Sequence, residues 1–292
     1  MLRIAYLGPE GTVSHESAAW FFAGEDVELI PFRVISDVFL ATAHGKTDAS
    51  VVPIENTIDG SVNAHMDFLV HEVDMPILAE WTYPSVQNLI GFSADQGGDD
   101  LSRIRRVISI PVAIAQCHTF LRTHLPEAEY EHVPSTAEGV RLVKERGDHG
   151  LAAIGTASAA NMYGLDLLKK DIGEHQNNLT RFIIVGNKPI PLKPSPKCKT
   201  SIIVAQPEDY PGGLHQVLSA FAWRRINLSK IESRPTKKRL GSYYFYIDVE
   251  ASMDSVLLPA AIAEIEAIGC RVRLMGSYPS YSYDIINSEV QD

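Results

Sequence analysis

Residues 188–199, Lys-Pro-Ile-Pro-Leu-Lys-Pro-Ser-Pro-Lys-Cys-Lys, hold four prolines and four lysines. Prolines at this density disfavour both helix and central strand, so the stretch is expected to extend as a stiff linker and domain boundary. It cuts the 292-residue chain into two pieces, each of which must build a core of its own. The patterning differs on its two sides.

Ahead of the spacer, in residues 1–187, strands alternate with helices. An apolar strand over residues 2–7 ends in Gly8-Pro9-Glu10-Gly11-Thr12-Val13-Ser14, after which Ala18, Ala19, Phe21 and Phe22 recur at helical spacing. Thr12 or Ser14 can cap that helix, and the two glycines let backbone N–H groups approach a ligand. A strand over 27–32 and a helix over 37–44 lead to a strand that runs into Glu55-Asn56-Thr57. The next helix carries Val62, Met66, Leu69 and Val70, with Asp59 or Ser61 as its cap. Residues 77–92 read as extended, broken by Pro84 and by a loop over 93–100. Strands follow at 106–110, 130–133 and 151–154, with helices over 113–124 and 136–146, the latter capped by Ser135.

Alternation of this kind predicts an α/β fold with parallel strands, whose ligands sit beyond the carboxyl ends of those strands. Two such units joined by extended crossings predict a two-lobed, periplasmic-binding-protein-like clamp. Lobe one spans about 1–77 and 178–187, and lobe two about 78–177. The short β-branched run opened by Thr180-Arg181-Phe182 returns the chain to lobe one. That topology gathers Thr180, the turn at 8–14 and the turn at 55–57 around one cleft.

Beyond the spacer, residues 200–280 change period. A strand (201–205), a helix with Leu214, Val217, Leu218 and Phe221 on one face, a strand (226–231), strict alternation at Tyr243, Phe245, Ile247 and Val249, a helix with Leu258, Ile262 and Ile265, and a strand over 271–275 give the order βαββαβ. That is the ferredoxin-like arrangement, a sheet with both helices on one face. Residues 281–292 form a tail.

A formal charge of -10 argues against nucleic-acid and anionic-membrane partners, so an anionic ligand must be held by local donors. Cys117, Cys198 and Cys270 are far apart and show no metal-binding spacing, which predicts idle thiols, no metal and no disulfide framework. With no span-length apolar run and no leader pattern at Met1-Leu2-Arg3, the expected location is the cytoplasm.

Several separate motifs give these pieces a family resemblance. Gly8-Pro9-Glu10-Gly11-Thr12-Val13-Ser14, Glu55-Asn56-Thr57 with Gly60 and Val62, Ala115-Gln116-Cys117, Ser135-Thr136-Ala137, Thr180-Arg181-Phe182 and Glu232-Ser233-Arg234-Pro235 stand in order along nearly the whole chain. Together they resemble prephenate dehydratase with a C-terminal ACT regulatory domain. The pattern departs from the family at Gln87, where His is usual, and at Ile110 and Val112 within Ser109-Ile110-Pro111-Val112. Val13 takes an aromatic position, Thr57 a serine one, and Gly212-Gly213-Leu214-His215 replaces the usual run of the ACT helix.

The resemblance implies conversion of prephenate to phenylpyruvate with loss of carbon dioxide and water, without metal or organic cofactor. It implies that Thr180 donates a hydrogen bond to the departing oxygen, and that Thr12, Ser14, Glu55, Asn56, Thr57, Gly60, Arg181 and Phe182 line the substrate. Neutral donors suit a decarboxylation, because a tight ion pair on the leaving carboxylate would oppose it. Arg181 is left open between a carboxylate contact and an ion pair with Glu55 or Asp171, and Phe182 reads as packing. The ACT domain implies feedback by L-phenylalanine held by Gly212, Gly213, Leu214, Asn227, Leu228, Glu232, Ser233, Arg234 and Pro235, in a homodimer or homotetramer formed through ACT domains. Competing readings are arogenate dehydratase, a non-aromatising decarboxylase and a non-catalytic sensor of amino or aromatic acids.

Overall fold

The computed structural model describes residues 1–93, 101–208, 210–237 and 243–283, so part of the expected 93–100 loop and most of the 281–292 tail lie outside the described residues. The chain divides into two units, Met1–Val73 with Thr82–Phe182, and Asp74–Trp81 with Ile183–Asp292.

In the first unit, β1 (Leu2–Leu7) lies between β2 (Val27–Phe32) and β3 (Ala49–Asn56) and runs parallel to both. Parallel neighbours need crossovers, and α1 (Val13–Phe21) and α2 (Ile35–Ala43) supply them. Ile4, Tyr6, Phe39, Val51, Ile54 and Leu69 are fully buried around this sheet. Burial along β3 lapses at its carboxyl end, at Glu55 and Asn56, where the strand reaches the cleft. A short β4 (Gly60–Ser61) then folds back on β3 and leads into α3 (Asn63–His71). Neither Asp59 nor Ser61 caps α3. Its N-cap is Val62, without a side-chain cap bond, because the β4 hairpin places Asp59 elsewhere.

The second sheet of this unit has the order β10 (Asp166–Lys169), β6 (Asn88–Gly91), β9 (Leu151–Gly155), β7 (Arg106–Ser109), β8 (Glu129–His132). β7 runs parallel to β8 and β9, whereas β6 runs antiparallel to β9 and β10. The sheet is therefore mixed where parallel strands were expected: β6 comes out of the extended 77–92 segment and has no helical crossover behind it. α6 (Thr136–Arg146) is capped by Ser135 Oγ, which accepts from Glu138 N at 3.1 Å, and α7 (Ala157–Tyr163) follows β9. Val140, Val143, Ala159 and Ala160 cover one face of the sheet. The helix expected over 113–124 is two helices, α4 (Pro111–Gln116) and α5 (His118–His124), broken at Cys117 (φ -113°, ψ 12°). The break lets Ala113 and Ile114 on one side and Leu121 on the other reach one core with the buried Cys117 thiol.

The second unit has the βαββαβ order: β12 (Cys198–Ala205), α8 (Gly213–Ala222), β13 (Leu228–Pro235), β14 (Tyr243–Val249), α9 (Leu257–Ala267) and β15 (Arg271–Ser282). The sheet order β13-β14-β12-β15 is antiparallel throughout, and Val217, Phe221, Leu258, Ala261 and Ile265 from both helices pack on Ile202, Val204 and Ile247. β15 runs well past the expected Met275. Opposite β12, Ser201 pairs with Gly276 and Ile202 with Leu274, so Met275 is an extra residue that bulges while the ladder continues. The amino-terminal part of β5 (Ile77–Pro84) adds to β15. There Glu80, 2% exposed, receives Lys199 Nζ at 2.6 Å and the Ser280 hydroxyl at 2.7 Å. A buried carboxylate with two donors is a compensated charge.

Candidate active site

Between the two sheets of the first unit lies a cavity of about 360 Å³ lined by both, within the range of small-molecule sites. Thr12, Ser14, Asn56, Thr180 and Phe182 line it. Glu55, Thr57, Gly60 and Arg181 do not.

Asn56 organises the polar side. Its Oδ1 accepts from Ile58 N (2.9 Å) and Asp59 N (3.2 Å), an Asx turn that fixes which end of the amide faces which way. The nitrogen end then faces Thr180 Oγ1 (3.0 Å), Asn178 Oδ1 (2.8 Å) and Leu179 O (3.2 Å), three acceptors that share its two N–H groups. Asn178 Nδ2 passes to Gln116 Oε1 at 3.0 Å, and Gln116 Nε2 to Asp59 Oδ2 at 2.6 Å. Thr180 Oγ1 also lies 2.7 Å from Ser85 Oγ. Thr180 opens β11 (Leu179–Val185), and Thr57 holds that opening in place, its hydroxyl donating to Asn177 O (2.7 Å) and accepting from Leu179 N (3.0 Å). The Thr57 hydroxyl is thus committed to the main chain, and Gly60 serves the β4 turn at a φ of 75°.

Arg181, open from the sequence, sits 3.0 Å from Glu55 Oε2 and is 7% exposed. Phe182 is 1% exposed and closes one wall of the cleft. Thr12 caps α1, accepting from His15 N (3.4 Å) and donating to Pro9 O (2.9 Å), so its hydroxyl proton is spent inside the turn. Ser14, 9% exposed, makes no side-chain hydrogen bond to another described residue. The turn is tied to the second sheet's helices: the Thr156 hydroxyl donates to Gly11 O (2.8 Å), and Ser158 N donates to Glu16 Oε1 (2.9 Å). Burial pushes the Glu16 carboxyl up, more than those donors pull it down. Cys117, next to Gln116, has its thiol pushed up to about 12 by burial and by the Glu174 and Asp171 charges, so it stays protonated.

Sequence reading did not place Arg33, Asp59, Ser85 or Gln116 in the site, yet all four line the cavity. Gln116 belonged to a matched motif without a role, and Gln87 to a departure from one. Arg33 is the only cation lining the cavity among the described residues; it is exposed and makes no ion pair or hydrogen bond to another described residue. Gln87 is 7% exposed and makes no side-chain hydrogen bond to another described residue.

In the second unit, Gly212 is the N-cap of α8 at a φ of 88°, Gly213 is buried, and Leu214 is half-buried. A Cβ at Gly213 would meet Gln206 Nε2 at 2.5 Å, the end of a flexible side chain that would have to swing aside. Asn227 Nδ2 donates to Glu250 Oε2 at 2.7 Å just before Leu228 opens β13. Along β13, Glu232 lies 3.3 Å from Lys230 Nζ and 3.4 Å from Arg234 Nη1, half-buried, while Ser233 and Pro235 alternate to the exposed face.

Amide and hydroxyl groups around one threonine, with one cation at the cleft, suit an enzyme that acts on a small anionic molecule, and a separate βαββαβ unit follows it. Comparison with known proteins makes this specific. The family model for prephenate dehydratase matches residues 4–190, and that for the ACT domain matches residues 200–269. The chain is 40% identical to the prephenate dehydratase of Bacillus subtilis, with 96% of this chain and 99% of that protein covered. It is 38% identical to that of Methanocaldococcus jannaschii, with 95% and 98% covered. The solved prephenate dehydratase of Arthrobacter aurescens in complex with L-Phe superposes at a TM-score of 0.84 with 33% identity, covering 95% of this chain and 90% of that one. The chain belongs to the prephenate dehydratase family, and it carries an ACT domain.

Proposed function

We propose that the cleft converts prephenate to phenylpyruvate, with the Thr180 hydroxyl as the donor to the departing oxygen. The observation that carries this is the Asn56 amide, which fills one lone pair of Thr180 Oγ1 at the cleft wall. In the reaction the bond from ring to carboxylate breaks and its electron pair enters the ring. The ring C–O bond breaks with it, and the departing hydroxide takes one proton from solvent to become water. Charge on that oxygen grows only as the C–O bond stretches, so a donor aimed there stabilises the transition state more than the substrate.

Two carboxylates must be held, only one of which leaves. Arg33 is the anchor for the side-chain carboxylate, which survives the reaction. Ser14 and Gln87, neutral and without side-chain partners among the described residues, face the ring carboxylate, which must depart without an ion pair. Arg181, engaged by Glu55, is structural. Replacing Arg33 with Ala is expected to raise KM for prephenate about 10- to 100-fold with kcat within about threefold, since a contact made equally in ground and transition states affects binding alone. An unchanged KM would remove Arg33 from the site. The direct assay is incubation with prephenate and detection of phenylpyruvate by its absorbance in alkali. Arogenate, with an amino group in place of the keto oxygen, is the rival substrate, and kcat/KM ranks the two.

For the second unit the reading is a sensor of L-phenylalanine. The ACT match and the relative solved with L-Phe support it. Gly212, Gly213, Leu214, Asn227 and Leu228 form the loop side of the pocket, and Glu232, Ser233, Arg234 and Pro235 the strand side. Pairing of such domains gives a homodimer or homotetramer, in the cytoplasm. Activity is expected to fall sigmoidally as L-Phe is added, because the effector must bind the less active state more tightly. A flat curve at every concentration would overturn the regulatory reading.

A further inference from the structure

Where the Thr180 proton points is decided by its neighbours, and the hydrogen bonds allow the count to be made. A hydroxyl oxygen has one proton to give and two lone pairs to fill. Asn56 takes the first lone pair, because its oxygen is held by Ile58 N and Asp59 N and only its nitrogen can face Thr180. That leaves one lone pair, one proton and the Ser85 hydroxyl at 2.7 Å. Were Thr180 to donate to Ser85, no proton would remain for the cleft. With Ser85 donating, both lone pairs are filled and the Thr180 proton is left the cleft direction.

Ser85 is built for that role. It is 6% exposed, its backbone N–H is fixed on Asn178 O at 2.8 Å, and its hydroxyl has no hydrogen-bond partner but Thr180 among the described residues. An oxygen gaining negative charge in the cleft adds an acceptor for the Thr180 proton and so selects this arrangement. The two hydroxyls then form a chain in which each bond polarises the next.

We propose that Ser85 is a positioning residue: by donating to Thr180 Oγ1 it turns the Thr180 proton onto the leaving oxygen. This rests on the reading of Thr180 as the donor, and the test separates the two. Ser85→Ala and the near-isosteric Ser85→Cys are assayed with prephenate in the full chain, each with Thr180 intact and in the Thr180→Ala background. With Thr180 present, Ser85→Ala is expected to lower kcat about tenfold with KM within about twofold, and Ser85→Cys, a weaker donor, to lower it in the same direction. In the Thr180→Ala background Ser85→Ala is expected to change kcat by less than about twofold, since the group it acts through is gone. Equal losses in both backgrounds would make Ser85 a structural residue and overturn the proposal, as would an unchanged kcat or a change in KM alone. Full activity of Thr180→Ala itself would instead overturn the underlying reading.

Discussion

Thr180→Ala is expected to lower kcat on prephenate by about 100- to 1,000-fold, the usual cost of removing one donor from a developing oxyanion. KM should move little, because the departing oxygen carries its charge only in the transition state. Thr180→Ser keeps the hydroxyl and should retain most of the rate. Thr180→Val keeps the shape and should behave like Ala. Steady-state kinetics on the three variants checks the assignment. If Ala and Val variants kept near-normal kcat, the hydroxyl would have no part in the chemistry. The loss should not come from unfolding: Thr180 lies at the start of β11, and the strand's fully buried residues Ile183, Ile184 and Val185 are untouched.

The second large effect is on stability. Gly276 adopts a φ of 152°, and a Cβ there would run into the backbone of Ile77, with Ile77 C and N each at 3.1 Å. β15 and β5 approach too closely for a side chain, and the opposing atoms are main chain and cannot rotate away. Strained backbone and overpacking each cost about 1–3 kcal/mol, so Gly276→Ala should destabilise by about 2–6 kcal/mol. Gly173→Ala is the control, since nothing lies within 4 Å of a Cβ there. Thermal unfolding should show a drop of several degrees for the first and almost none for the second. Equal midpoints would mean that the strands part to admit a methyl group at little cost.

Gly276 also shows why part of the fold was hidden in the sequence. The expected strand stopped at Met275, ahead of Gly276, but in β15 the extra residue is absorbed by a bulge and the ladder resumes at Ser201. Cys117 misled in the opposite way: as a small apolar residue in phase with its neighbours, it continued a helical period across a real break. The alternation of strands and helices was legible because each strand had to be buried and each crossover had to cover it. The motif turns at 8–14 and 55–57 and the Thr180 strand were legible because each follows or opens an apolar run. Ser85 was not, since its meaning depends on a residue 95 positions away and it follows a proline that looks like punctuation. Arg33 was invisible for a simpler reason: in sequence a lone arginine at the end of a strand is like any solvated cation. The pairing of Arg181 with Glu55 at 3.0 Å is likewise visible only in the folded chain.

The Asx turn at Asn56 carries a further consequence. Because main-chain N–H groups, and no bound molecule, choose which end of that amide looks toward Thr180, the hydrogen polarity of the whole wall is preset before anything arrives. An aspartate at 56 could still take the turn's two N–H bonds, yet it would offer Thr180 an acceptor and draw the proton inward. One atom changed from nitrogen to oxygen would reverse the wall's sense with its shape unaltered.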